Sequence, residues 1–256
     1  MVRNRGFTLV ELIMVIVLLA IVATISVQFV ALSTQGAIDT GERQQRALKA
    51  VVVSEQITRM LREAFPLSVR PVGSGCIEWL PIAGATTYVA LPAGNATTLE
   101  VIPFRREPSG SALRIIVYGY GTPTSDFYTS PVSSPGPISP EIDAIDNAFP
   151  AEIELVSDHR FRERSPSRRL FVVGQPQTLC PEAGQIALYR QYDIGQPYTA
   201  GRRDVLTANL VGTTSFTYTP PSLRRAAVVS FSFELDSAQS NETLKVTQEV
   251  QIRNVP

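Results

Sequence analysis

Lysine is nearly absent: Lys49 and Lys245 are the only two in 256 residues. Positive charge rests on arginines spread along the chain, and 23 basic residues are cancelled by 23 acidic ones. That excludes the dense basic stripe of a nucleic-acid binder. The one local run, Arg160, Arg162, Arg164, Arg168 and Arg169, has Glu163 among it and reads as a solvated loop. Histidine occurs once, as His159 beside Asp158, and reads as a surface residue. A Gly-x-Ser-x-Gly elbow, a His-Glu-x-x-His pair and a glycine-rich phosphate loop are all missing. The chain therefore reads as non-enzymatic, with no cofactor. Cysteine occurs only as Cys76 and Cys180, neither with a nearby Cys or His to share a metal. Glu141, Asp143 and Asp146 lie within six positions but lack the spacing and glycine of a calcium loop, so no metal is expected. Proline is absent before Pro66, which leaves a long helix free to form.

What the chain has in abundance comes first. Nothing from Leu12 to Ala23 is polar, and between Phe7 and Leu32 only Thr8, Glu11, Thr24, Ser26 and Gln28 interrupt the apolar run. A helix of those 26 residues is about 39 Å long at ~1.5 Å per residue, enough to cross a ~30 Å hydrocarbon layer with some tilt. A carboxylate at the start of such a helix is costly to insert, so Glu11 points to a function. Arg3 and Arg5 hold the N-terminus in the cytoplasm, and Gln35 onward then faces the opposite side.

The helix is expected to continue to about Ala64. Ala47, Val51, Ser54, Ile57, Leu61 and Phe65 recur near helical spacing, opposite Arg43, Gln44, Arg46, Lys49, Gln56, Arg59, Arg62 and Glu63. Gly36 and Gly41 weaken it locally, and Pro66 ends it. Beyond Pro66 the pattern becomes strand-like at 86–91, 98–105, 112–118, 153–156, 170–173 and 185–191, with more beyond Val205. The clearest pair is C-terminal: Val229, Phe231, Phe233 and Leu235 alternate with polar residues, as do Leu244, Val246, Val250 and Ile252. The amphipathic helix half is the natural cover for that hairpin's apolar face. The fold class expected is α+β, a long helix laid on an antiparallel sheet. Between Gly121 and Pro150, six prolines and many serines read as an excursion outside the core, with Trp79 inside the core.

Arg3-Asn4-Arg5-Gly6-Phe7-Thr8-Leu9-Val10-Glu11, followed by the apolar run, resembles the start of type IV prepilins and of the pseudopilins of type II secretion. The resemblance implies a leader at 1–6, a transmembrane helix at 7–32, an amphipathic half at 33–65 and a β-rich extracytoplasmic domain at 66–256. It implies that prepilin peptidase cuts between Gly6 and Phe7 and methylates the new Phe7 amine. Glu11, unsolvated among apolar helices, would pair with a neighbouring subunit's amine and set the assembly register. Implied partners are that peptidase, the other major and minor pilins and the inner-membrane assembly platform. The subunit would sit in the inner membrane in a single pass before joining a pilus or pseudopilus. In that oxidising compartment Cys76 and Cys180 are expected to pair.

Two rival readings of the N-terminus remain at this point. An ordinary secretory signal, with Ala31-Leu32-Ser33 as its cleavage site, conflicts with the length of the run and with Glu11 inside it. A plain anchor explains the length but not the residues around Gly6.

A narrower similarity links 76–82, Cys180 to Gln185, Leu188-Tyr189-Arg190 and Val250 to Pro256 to the large MshO-type minor pilin of the mannose-sensitive haemagglutinin (MSHA) pilus. The layout is also similar to the J-type minor pseudopilin of type II secretion. From another class, a membrane-tethered periplasmic enzyme or binding protein could carry such an anchor.

Overall fold

The computed structural model describes residues 8–117, 121–221, 225–236 and 242–252. It opens on one helix, α1 (Leu9–Arg62), followed by antiparallel strands. These are β1 (Arg70–Val72), β2 (Cys76–Trp79), β3 (Ile82–Thr87), β4 (Ala96–Val101), β5 (Arg114–Ile116), β6 (Ile138–Asp146) and β7 (Ala151–His159). After them come β8 (Arg169–Val173), β9 (Gln177–Glu182), β10 (Gln185–Arg190), β11 (Arg202–Ala208), β12 (Leu210–Thr219), β13 (Ala227–Leu235) and β14 (Leu244–Ile252). The architecture is α+β, as the pattern predicted, and pilin-like, as the resemblance implied.

The chain divides into two compact units, 1–49 with 237–242, and 50–236 with 243–256. In the first, α1 runs uninterrupted through Gly36 and Gly41. Arg43 Nη2 donates to Glu242 at 2.7 Å, and Arg46 Nη1 donates to the Glu242 carbonyl at 2.7 Å. The Arg43 and Glu242 side chains are solvent-exposed, so the Arg43 pair contributes little stability.

The second unit has three cores. In the first, Ala50, Val53, Ile57 and Leu61 of α1 pack against Val229, Phe231, Phe233, Val250 and Ile252 of the three-stranded sheet β12-β13-β14. Register along the hairpin is unbroken from Ala227↔Ile252 to Leu235↔Leu244, because its alternation allows one buried face. The helix face differs from expectation at its N-terminal end: Ala47 and Val51 are exposed, while Ala50, Val53 and Thr58 are buried. Both sets fit a 3.6-residue period, and contact with the sheet selects one.

A five-stranded sheet, β1-β2-β9-β10-β11, completes that core through Ile77, Trp79, Leu179 and Ile186. Trp79 is fully buried, as expected. Cys76 on β2 and Cys180 on β9 form a disulfide.

The remaining strands follow the order β3-β8-β5-β6-β7-β4. That sheet closes on itself, because Val89 N–H donates to Glu100 O at 3.0 Å and Ile102 N–H to Thr87 O at 2.8 Å. The resulting barrel has its own core, including Leu99, Val101, Ile115, Val117, Ile153, Leu170 and Val172.

The proline-rich segment is not wholly outside the core. A short 3-10 turn (Thr124–Phe127) and β6 form within it, and Phe127, Tyr128 and Ile138 are buried in the third cluster with Phe65, Leu80 and Phe171. Pro140 is tolerated inside β6 because the β5–β6 register shifts there, leaving no ladder bond for proline to break.

Candidate functional site

The first helical turn is built from local chemistry. Thr8 precedes α1, and its Oγ1 accepts from the Glu11 backbone N–H at 3.3 Å while its carbonyl accepts from Leu12 N–H at 3.2 Å. Thr8 is therefore the N-cap, and Thr8-Leu9-Val10-Glu11 has the Ser/Thr-x-x-Glu spacing of a capping box. The Glu11 carboxylate lies in the first turn and is exposed, where the positive end of the helix favours an anion. The sequence reading used Thr8 only as a member of a longer motif; its capping role was readable from the spacing to Glu11. Gly6 and Phe7, the expected cleavage pair, lie outside the described residues.

The apolar residues that follow have no cover. Leu19 is 62% exposed and Phe29 72% exposed, and α1 is the one helix among the described residues long and apolar enough to cross a membrane. A bare apolar cylinder cannot stand in water, so this surface requires lipid or other helices around it.

The other candidates are structural. His159 is buried at the end of β7, edge-on to the Phe161 ring at 4.7 Å, and neither ring nitrogen has a hydrogen-bond partner. This corrects the surface reading: flanking Asp158 and Arg160 made the stretch look solvated, while the end of the strand turns the imidazole inward. Burial pushes its pKa below the ordinary value, against the Gly136 backbone and the Asp158 charge. A histidine whose folded pKa is depressed contributes full stability above its unfolded value of about 6.5, lost as pH falls below it. Thermal melts should therefore show a lower Tm at pH 5 than at pH 7.5, with part of that decline absent in His159→Gln.

Glu141 is paired with Arg114 at 3.0 Å, and no group of three or more metal-ligating side chains occurs among the described residues. The arginine run stays largely exposed, with Arg162 paired to Asp126 at 2.8 Å.

The most buried charge, Glu78, accepts from Arg70 Nε at 2.6 Å and from the Tyr192 hydroxyl at 2.9 Å, and Tyr192 also bonds Thr178. Arg70 lies 3.6 Å over the Tyr128 ring, whose hydroxyl donates to Ser68 O. Burial raises both phenols well above their ordinary range. Neutral phenols and a paired carboxylate make this a satisfied internal network, with no free nucleophile or base. The sequence reading missed it, because its members are scattered over more than a hundred positions.

A family model described as a prokaryotic N-terminal methylation motif matches residues 1–27. The match spans Gly6, Phe7, Thr8 and Glu11 and marks this N-terminus as that of a prepilin-peptidase substrate, pilin-like or pseudopilin-like. No curated protein and no solved structure matches the chain.

Proposed function

We propose that this chain is a non-enzymatic minor subunit of a type IV pilus of the MSHA kind, carried in the inner membrane before it enters the filament. The observation that carries this reading is the coincidence of the methylation motif with a capped, uncovered apolar helix. Prepilin peptidase would cut between Gly6 and Phe7 and methylate the Phe7 amine. Thr8 would then cap a helix that begins two residues into the mature chain.

Chemistry explains why Glu11 belongs there. The Phe7 ammonium would sit at the positive end of its own helix, an unfavourable position. In a filament core without water, the Glu11 carboxylate of a neighbouring subunit would offset both that charge and its own burial. Axial register would follow, because only one stagger brings the two groups together. A β-rich unit of this bulk suits a tip or initiation position better than the repeating shaft. The short similarities at 76–82, 180–190 and the C-terminus favour the MSHA type over a J-type pseudopilin.

Glu11→Ala should leave cleavage and membrane insertion intact while lowering co-purification with sheared filaments at least tenfold, because the neighbouring ammonium is left buried and unpaired. Glu11→Gln keeps the shape and removes the charge, so it should behave like Glu11→Ala. Wild-type incorporation of both variants would mean that Glu11 does not set the register here, leaving either the extreme tip, where no neighbour above supplies an amine, or a wrong assignment. Loss of protein secretion, with pili unaffected, would move the chain to the type II system.

A further inference from the structure

We infer that, inside the second compact unit, residues 80–176 form a module with its own core, which the helix-bearing body carries and does not need for anchoring or assembly. The assembly half of this inference rests on the pilin-like reading above.

Topology is the first support. β2 and β9 are adjacent antiparallel strands, with Trp79 directly opposite Gln177. The whole barrel leaves and returns through that one pair. Entry and exit stay side by side beyond it: Gly174 N–H donates to Pro81 O at 2.9 Å, and Ile82 pairs with Val173. Deleting everything between Trp79 and Gln177 would in principle leave a two-stranded hairpin. Insertions whose ends meet this closely are those a host fold tolerates.

The second support is the separation of cores. Barrel residues such as Leu99, Ile153, Leu170 and Val172 form one cluster, while the body cluster contains α1 and the three-stranded sheet and shares none of them. Closure removes the free edges that would otherwise need the body's strands.

Third, barrel and body meet around the end of α1, in an aromatic seat flanked by polar contacts: the Tyr128 hydroxyl donates to Ser68 O at 2.7 Å, Arg70 lies over the Tyr128 ring, and Ile82 N–H donates to Glu63 O at 2.8 Å. Ile116, Ile138, Phe171 and Val173, from barrel strands, surround Phe65, with Phe171 and Phe127 rings 5.3 and 5.4 Å from it. Phe65 lies three residues past the end of α1, so the barrel packs beside the end of the helix. The Cys76–Cys180 disulfide crosses β2 and β9, on the body side of the entry pair, and holds the base closed whatever the barrel does.

Amide hydrogen exchange on the full-length protein in detergent micelles tests this, using one cavity variant in each core. Ile153→Ala should speed exchange across β4–β7 by about a hundredfold and leave β12–β14 within about threefold of wild type. Ile57→Ala should do the reverse. Equal acceleration of both regions by either variant would overturn the two-unit inference. In sheared filaments, Ile153→Ala should appear at the wild-type level; its loss with β12–β14 still protected would mean that the barrel takes part in assembly. Absence of the wild-type chain from filaments would instead count against the pilin-like reading, and the exchange result would still decide whether the barrel is separate.

Discussion

Gly6→Leu should leave the first six residues attached to essentially all of the protein, an intact mass that retains residues 1–6. The reason is steric. A protease cutting beside glycine can bring its catalytic groups close to a backbone that carries no Cβ, and a branched side chain there keeps the scissile carbonyl away. Gly6→Ala, with a single methyl, should be cut more slowly and not abolished. An uncut chain has no free Phe7 amine, so it should also be absent from filaments while remaining in the membrane. A wild-type melting temperature for the β-rich unit in both variants would show that loss of cleavage is not unfolding.

Serine at Cys76 or Cys180 should lower the unfolding free energy of the β-rich unit by about 4–5 kcal/mol. The bridge joins positions 104 apart, so in the chain-entropy model it removes a very large set of open conformations from the unfolded ensemble. Both cysteines are buried, and the Cys76 sulfur lies 3.8 Å from the Tyr198 hydroxyl, which makes the pair poorly accessible to reductant in the folded state. Urea unfolding of the wild type with and without dithiothreitol should reproduce the difference, and the serine variants should be insensitive to dithiothreitol. An unchanged midpoint in either variant would mean that the bridge constrains little.

Much of this fold was legible because its patterns are strong. A helix with no proline before Pro66, and a hairpin whose apolar and polar residues alternate on both strands except at Gln248, leave few alternatives. The parts that escaped were those without alternation. In β2 all four residues are buried, so Cys-Ile-Glu-Trp shows neither a polar face nor a period. β6 hid among prolines, and only a register shift makes room for Pro140. The barrel pairs β3 and β5 with β8, and β4 with β7, positions far apart in the chain, which local patterns do not encode. At the candidate site the balance was similar. Glu11 stood out by its charge in an apolar run, whereas the burial of His159 was masked by polar neighbours on both sides.

Mass spectrometry of the N-terminus of the purified protein tests the central claim most directly. A pilin-like subunit requires a mature chain that begins at Phe7 and carries one methyl group on its amine. A chain beginning at Thr34, after an ordinary signal cleavage, or one that retains Met1–Gly6 in cells with an active prepilin peptidase, would contradict it.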